Sequence, residues 1–82
     1  MVQLEIILFA GLKCNNPNLT SFGEREFLLD VPDGTTVGDL RGILAIDPDM
    51  RLLTMVNYHY EREDWVLEHN DRVGIFPPIG GG

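Results

Sequence analysis

Cysteine is almost missing from this 82-residue chain, and positive charge is scarce. The single cysteine, Cys14, has no intrachain partner. A disulfide framework is therefore excluded, which fits a reducing compartment. Thirteen Asp and Glu stand against six Lys and Arg, for a net charge of −7. Phosphate backbones repel such a chain, so no nucleic-acid partner is expected; a protein with a basic docking surface fits better. No apolar run approaches the roughly 18–20 residues of a membrane span, so no membrane partner is expected. Met1-Val2-Gln3-Leu4-Glu5 lacks the basic region and small-residue cleavage site of a secretory signal, and a cytoplasmic location is expected. His59, His69 and Cys14 match no zinc spacing, so the histidines read as surface residues and no metal is expected. Internal repeats and low-complexity tracts are also lacking.

What is present suits one small globular domain. Hydrophobic residues make up 44% of the chain and charged residues 23%, an ordinary globular balance. Val2 to Phe9 reads as a strand, with Val2, Leu4, Ile6 and Leu8 on one face by the period of two. Ile7 and Phe9 add apolar groups to the opposite face. Residues 10–24 read as a long loop around Asn15-Asn16-Pro17-Asn18, expected to be mobile. Arg25 to Val31 is a second strand, with Phe27, Leu29 and Val31 on one face. Pro32-Asp33-Gly34 is a turn, after which Thr35 or Thr36 can cap a helix. Val37, Leu40, Ile43 and Leu44 share one helical face. Gly38 and Gly42 are expected to mark close packing of that helix on a sheet.

Leu52 to Tyr58 reads as a third strand, with either Leu52, Thr54, Val56 and Tyr58 or Leu53 and Met55 buried. Trp65-Val66-Leu67 is a short strand or turn, Asn70-Asp71 a turn, and Arg72 to Phe76 the last strand, with Val73 and Ile75 inward. The order is β-β-α-β-β, giving an α+β domain of one mixed sheet with one main helix packed on one face.

The segment Phe76-Pro77-Pro78-Ile79-Gly80-Gly81-Gly82 is the informative one. Pro77 cannot donate to a sheet ladder, and Phe76 before it is held extended. Two prolines favour a semi-rigid segment pointing away from the body. Three glycines then offer backbone without side chains. Pro78 to Gly82 reaches at most about 16–18 Å when extended, enough for Pro78, Ile79, Gly80 and Gly81 to thread a narrow channel and deliver the Gly82 carboxylate. A carboxylate is a poor electrophile and requires activation. Adenylation with ATP in a partner enzyme, then attack by a sulfur donor, yields a thiocarboxylate whose sulfur is a soft nucleophile. The division expected is a body at 1–77 and a flexible glycine-rich tail at 78–82.

The chain resembles the ubiquitin-like sulfur carriers typified by the small subunit of molybdopterin synthase, with the thiamine-pathway sulfur carrier as a cousin. The resemblance runs through Phe9-Ala10-Gly11-Leu12, Val31-Pro32-Asp33-Gly34-Thr35-Thr36-Val37-Gly38-Asp39-Leu40, Val56-Asn57 and Asn70-Asp71-Arg72-Val73. Its most specific part is the Phe-Pro-Pro-x-x-Gly-Gly ending at 76–82. Asn70 stands where the family commonly has Gly. The resemblance implies a β-grasp (ubiquitin-like) fold with an extended C-terminal tail. It also implies three partners: a ubiquitin-activating-like adenylating enzyme that uses ATP, a sulfur-donor protein, and the large catalytic subunit of molybdopterin synthase. In the last, sulfur passes from Gly82 to precursor Z to build the dithiolene of molybdopterin, bound for molybdenum or tungsten. The chain would then bind no cofactor and serve as the sulfur-donating subunit of a sulfurtransferase without catalytic machinery of its own. The alternatives are a ubiquitin-like protein modifier joined to lysines through Gly82, or a sulfur carrier for thiamine or tRNA thiolation.

Other residues invite readings as well. Cys14 could relay sulfur, but only Lys13 is near to lower its pKa, and an unremarkable thiol is the simpler reading. Glu61-Arg62-Glu63-Asp64 reads as a solvated turn that can also steer a basic partner. Ile7, Phe9 and Phe76 are expected to form an exposed apolar patch beside the root of the tail, a candidate partner-binding site unless the 10–24 loop covers them.

Overall fold

The computed structural model describes residues 1–78. The tail-threading residues Ile79, Gly80 and Gly81 and the reactive Gly82 lie outside the described residues.

The elements run β1 (Val2–Leu8), β2 (Glu26–Val31), α1 (Val37–Ile43), β3 (Leu53–Val56), β4 (His59–Tyr60) and β5 (Arg72–Phe76). They form one five-stranded sheet in the order β2-β1-β5-β3-β4. β5 pairs parallel to β1 and antiparallel to β3, so the last strand occupies the middle of the sheet. The arrangement is a β-grasp: a mixed sheet wrapped on one helix.

Strand alternation places Leu4 and Ile6, Leu29 and Val31, Thr54 and Val56, and Val73 and Ile75 on the inner face, all buried. Val37, Leu40 and Leu44 from the helix complete this core, together with Leu67. The third strand is thereby settled: Thr54 and Val56 face inward, while Leu53 and Met55 face out.

Four strands are read from the sequence, and the described residues form five. The third strand stops at Val56 because Asn57 and Tyr58 both take positive φ, 51° and 72°. They form a two-residue reversal into β4, where Met55 pairs with Tyr60 and Val56 with His59. At Trp65-Val66-Leu67 only a single bridge forms, between Val66 and Thr36.

Thr36 is the N-cap of α1. Its hydroxyl accepts from the Asp39 amide (3.1 Å), and the Asp39 carboxylate accepts from the Thr36 amide (3.0 Å), a reciprocal capping box. Thr35, the other candidate cap, is buried and donates its hydroxyl to the Pro32 carbonyl (2.6 Å). The helix ends in a Schellman turn. Ala45, with φ 56°, donates to the Gly42 carbonyl, and Ile46 donates to that of Arg41.

Two expectations are corrected. Gly38 packs not on the sheet but on the loop beyond β4, where an added Cβ would lie 3.4 Å from Glu63 Cβ and its carbonyl oxygen; Gly42 faces open space. The 10–24 loop, expected to be mobile, is tied down. The Asn15 amide donates to the Leu44 carbonyl (2.9 Å), Asn16 Nδ2 to that of Ile43 (2.7 Å), and Cys14 exchanges backbone bonds with Glu24 and Gly23. This loop satisfies carbonyls that the helix end leaves without partners.

Candidate functional site

The outer face of the sheet carries the residues that the inner core does not use. Alternation along β1 sends Ile7 and then Phe9 outward, and along β5 it sends Arg72, Gly74 and Phe76. The registers Ile7↔Gly74, Gly74↔Met55 and Met55↔Tyr60 line these strands into a cross-sheet row. Phe9 stacks edge-on against Phe76 with ring centroids 6.1 Å apart, and Tyr60 leans on Phe76 from the other side at the same distance.

Ile7, Phe9 and Phe76 thus meet on one face, with different exposures. Phe9 is 48% exposed and Phe76 half-buried, whereas Ile7 is buried at 9% and forms part of a hollow. Pocket lining draws in residues that the sequence reading left out, namely Met55, Tyr58, Arg72 and Gly74. Counting back by two from Phe76 reaches Gly74 and Arg72, so alternation carried that signal. Tyr58 carried none, because its place depends on the reversal at Asn57-Tyr58.

Two depressions share this face. One, of about 110 Å³, is lined by Ile7, Phe9, Met55, Tyr58, Arg72, Gly74 and Phe76. The other, of about 360 Å³, lies among Phe9, Ala10, Met55, Phe76, Pro77 and Pro78 and is nearly all apolar. It sits where the chain leaves the sheet. The ladder to β3 ends at Phe76, opposite Leu53, and Pro77 offers no further N–H to continue it. Pro77 is half-buried and Pro78 exposed. Emergence from the middle of the sheet places the root of the tail beside the apolar face.

The family model for the ThiS family matches residues 13–82. The chain belongs to the ThiS family of ubiquitin-like sulfur carriers. Solved structures agree in fold over essentially the whole chain. Small archaeal modifier protein 1 of Haloferax volcanii superposes with a TM-score of 0.72 at 20% identity, covering 96% of this chain and all of that one. A protein described as molybdopterin converting factor subunit 1 from Pyrococcus furiosus gives 0.65 at 25% identity, covering 96% of this chain and 100% of its own. A chain of the complex of subunits 1 and 2 of the molybdopterin-converting factor of Helicobacter pylori gives 0.62 at 18% identity, covering 99% and 100%.

The remaining candidates of this ThiS-family chain fall elsewhere. Cys14 is only 1% exposed and receives the Ser21 hydroxyl at 3.6 Å, so it packs as a core residue. His69 uses Nδ1 to accept from the Gln3 amide (3.0 Å), and His59 sits exposed on β4. Among the described residues no three His, Cys, Asp or Glu gather into a metal-sized cluster. Glu63 is more than a solvated turn residue: its carboxylate meets Arg41 at 3.0 Å and its carbonyl accepts from Gly38. Among the described residues no helix is long and apolar enough to cross a membrane.

Proposed function

We propose that this chain is the sulfur-carrier small subunit of a molybdopterin synthase, working through a thiocarboxylate at Gly82. One observation carries the reading. The central last strand of a ThiS-family body ends in Phe76-Pro77-Pro78 beside an apolar face with room for a partner, and Ile79-Gly80-Gly81-Gly82 follow in the sequence. The likeness to the Pyrococcus converting-factor subunit and to the Helicobacter two-subunit complex supports the molybdopterin branch and a large-subunit partner.

In this reading residues 1–77 are the docking body and 78–82 the tail. The Gly82 carboxylate attacks the α-phosphate of ATP held by a ubiquitin-activating-like enzyme; pyrophosphate leaves and an acyl adenylate forms. Sulfur at the sulfide level, from a donor protein, adds to the acyl carbon and expels AMP, leaving a thiocarboxylate. Pro78, Ile79, Gly80 and Gly81 then thread the large subunit, where the sulfur attacks a carbon of the bound pterin precursor and displaces an oxygen leaving group from it, forming a thioester. Hydrolysis of the resulting acyl link returns the carboxylate. Ile7, Phe9 and Phe76 belong to the face that docks on these partners.

Intact-mass spectrometry after incubation with ATP, the activating enzyme and a sulfide source tests this directly. Replacement of one oxygen by sulfur at Gly82 is expected. A chain whose mass never changes, or a Gly82 deletion that is loaded as well as wild type, contradicts the proposal. The likeness to the Haloferax modifier protein favours a second use of the same adenylate, transfer of the Gly82 acyl group to protein lysines. Gly-Gly remnants on lysines after digestion distinguish that use.

A further inference from the structure

The smaller outer hollow is a socket with a glycine floor. Gly74 lies at the centre of β5, flanked by Ile7 on β1 and Met55 on β3. It has no side chain to fill the space between them. A Cβ there would stand 3.3 Å from Phe9 Cε2, so even a methyl group begins to close the hollow. The volume is about 110 Å³. An enclosed cavity of roughly 150 Å³ accommodates a benzene ring, so this open hollow has room for about one Leu-, Ile- or Met-sized side chain.

Tyr58 walls one side at a backbone cost. It is a bulky residue at φ 72°, where glycine is the preferred occupant of a two-residue hairpin. The residue is 75% exposed, so core packing does not compensate. The ring instead lies 5.8 Å beneath the Arg72 guanidinium, which also meets Glu5 at 2.7 Å. Backbone strain held without packing in return is characteristic of functional surfaces.

The charges around the socket select its partner. Glu5 neighbours Arg72 across β1 and β5, and Glu26 neighbours Ile7. Glu5 and Arg72 offset each other as an ion pair, and on the β2 side Glu24 and Glu26, beside Ile7 and Phe9, outnumber Arg25. The rim is therefore net acidic on a chain of net charge −7.

We infer that the hollow among Ile7, Phe9, Met55, Tyr58 and Gly74 receives a single aliphatic side chain of a partner protein, set within lysines and arginines that face Glu24 and Glu26. Gly74 and Tyr58 are then the residues that fix partner choice. The inference rests on the carrier reading, because it takes the partner to be the large synthase subunit.

Calorimetric titration of the full chain against the large subunit from the same source tests it, using wild type, Gly74→Val and Tyr58→Gly, with a thermal melt of each. Gly74→Val fills the socket and is expected to weaken binding about 10-fold or more. Tyr58→Gly removes the wall and gives the Asn-Gly pair that a hairpin prefers; its melting temperature is expected to hold or rise while affinity drops several-fold. If Gly74→Val fails to fold, Tyr58→Gly decides alone. Folded variants that bind like wild type overturn the socket and leave the carrier reading standing. A wild-type chain that never acquires sulfur at Gly82 sinks the carrier reading instead. A chain that is loaded with sulfur but associates only with itself, in dimers that Gly74→Val dissolves on sedimentation, overturns the choice of occupant.

Discussion

Asn57 shows how much one side chain can hold in this fold. Its Nδ2 donates to Asp71 Oδ1 (2.8 Å), and its Oδ1 accepts from the Arg72 amide (2.9 Å). The other Asp71 oxygen accepts from the Glu68 amide (2.7 Å), so a buried carboxylate joins the β3–β4 reversal to the turn before β5. Asn57 also tolerates its φ of 51° better than alanine would. Asn57→Ala therefore loses two hydrogen bonds, strains the backbone and leaves Asp71 short of a partner. A loss of about 2–3 kcal/mol is expected, read as a fall in melting temperature of roughly 10 °C or more. Asn57→Gly keeps the backbone freedom and should cost less, about 1–2 kcal/mol. Two variants that melt with wild type would show that the clasp contributes nothing. Positive φ was legible in the sequence at Asn70, whose residue type advertises it (φ 71°), but not at Ala10 or Ala45, at 57° and 56°. Alanine carries no such signature; tertiary contacts impose the conformation on it.

Elements were legible where the signal was local. Alternation located β1, β2 and β5, and the pair Thr35-Thr36 marked the start of α1 to within one residue, the structure choosing Thr36. The two-residue β4 was invisible, because Asn57-Tyr58 lacks the glycine that announces a hairpin. The 10–24 loop was misread for another reason. Its turn-forming asparagines are real, but their partners are carbonyls at Ile43 and Leu44, about 27–29 positions on, and no sequence window shows such a bond. The seven-residue α1 is too short to persist alone, so this loop and the core hold its last turn in place. Asn16→Ala removes the bond to the Ile43 carbonyl and the acceptor for the Asn18 amide. A loss of about 1 kcal/mol is expected. Amide hydrogen exchange should localise it: Asn15 and Gly23 are protected in wild type and exchange faster in the variant. Rapid exchange at both positions in wild type would restore the mobile loop.

At the scale of the whole molecule, charge and shape act on different steps of association. The net charge of −7 spreads over the chain, whereas the socket and the apolar shelf at the tail root occupy one face. The tail motif was legible because it is contiguous. The face was only half legible, because it gathers residues from β1, β3, β5 and a reversal, and only the sheet register brings them together. Long-range charge steers encounter, and contact packing sets how long the complex lasts. The screening length falls from about 10 Å at 0.1 M salt to about 3 Å at 1 M, so steering weakens while packing persists. Stopped-flow association with the large synthase subunit should therefore slow about 10-fold across that range, with the dissociation rate nearly constant. Gly74→Val should do the reverse, leaving the association rate within a few-fold and raising the dissociation rate. Reversing the charge of Glu26 should slow association without emptying the socket. An association rate indifferent to salt would mean that the acidic surface does not face the partner, and the basic rim assigned to that partner would fall with it.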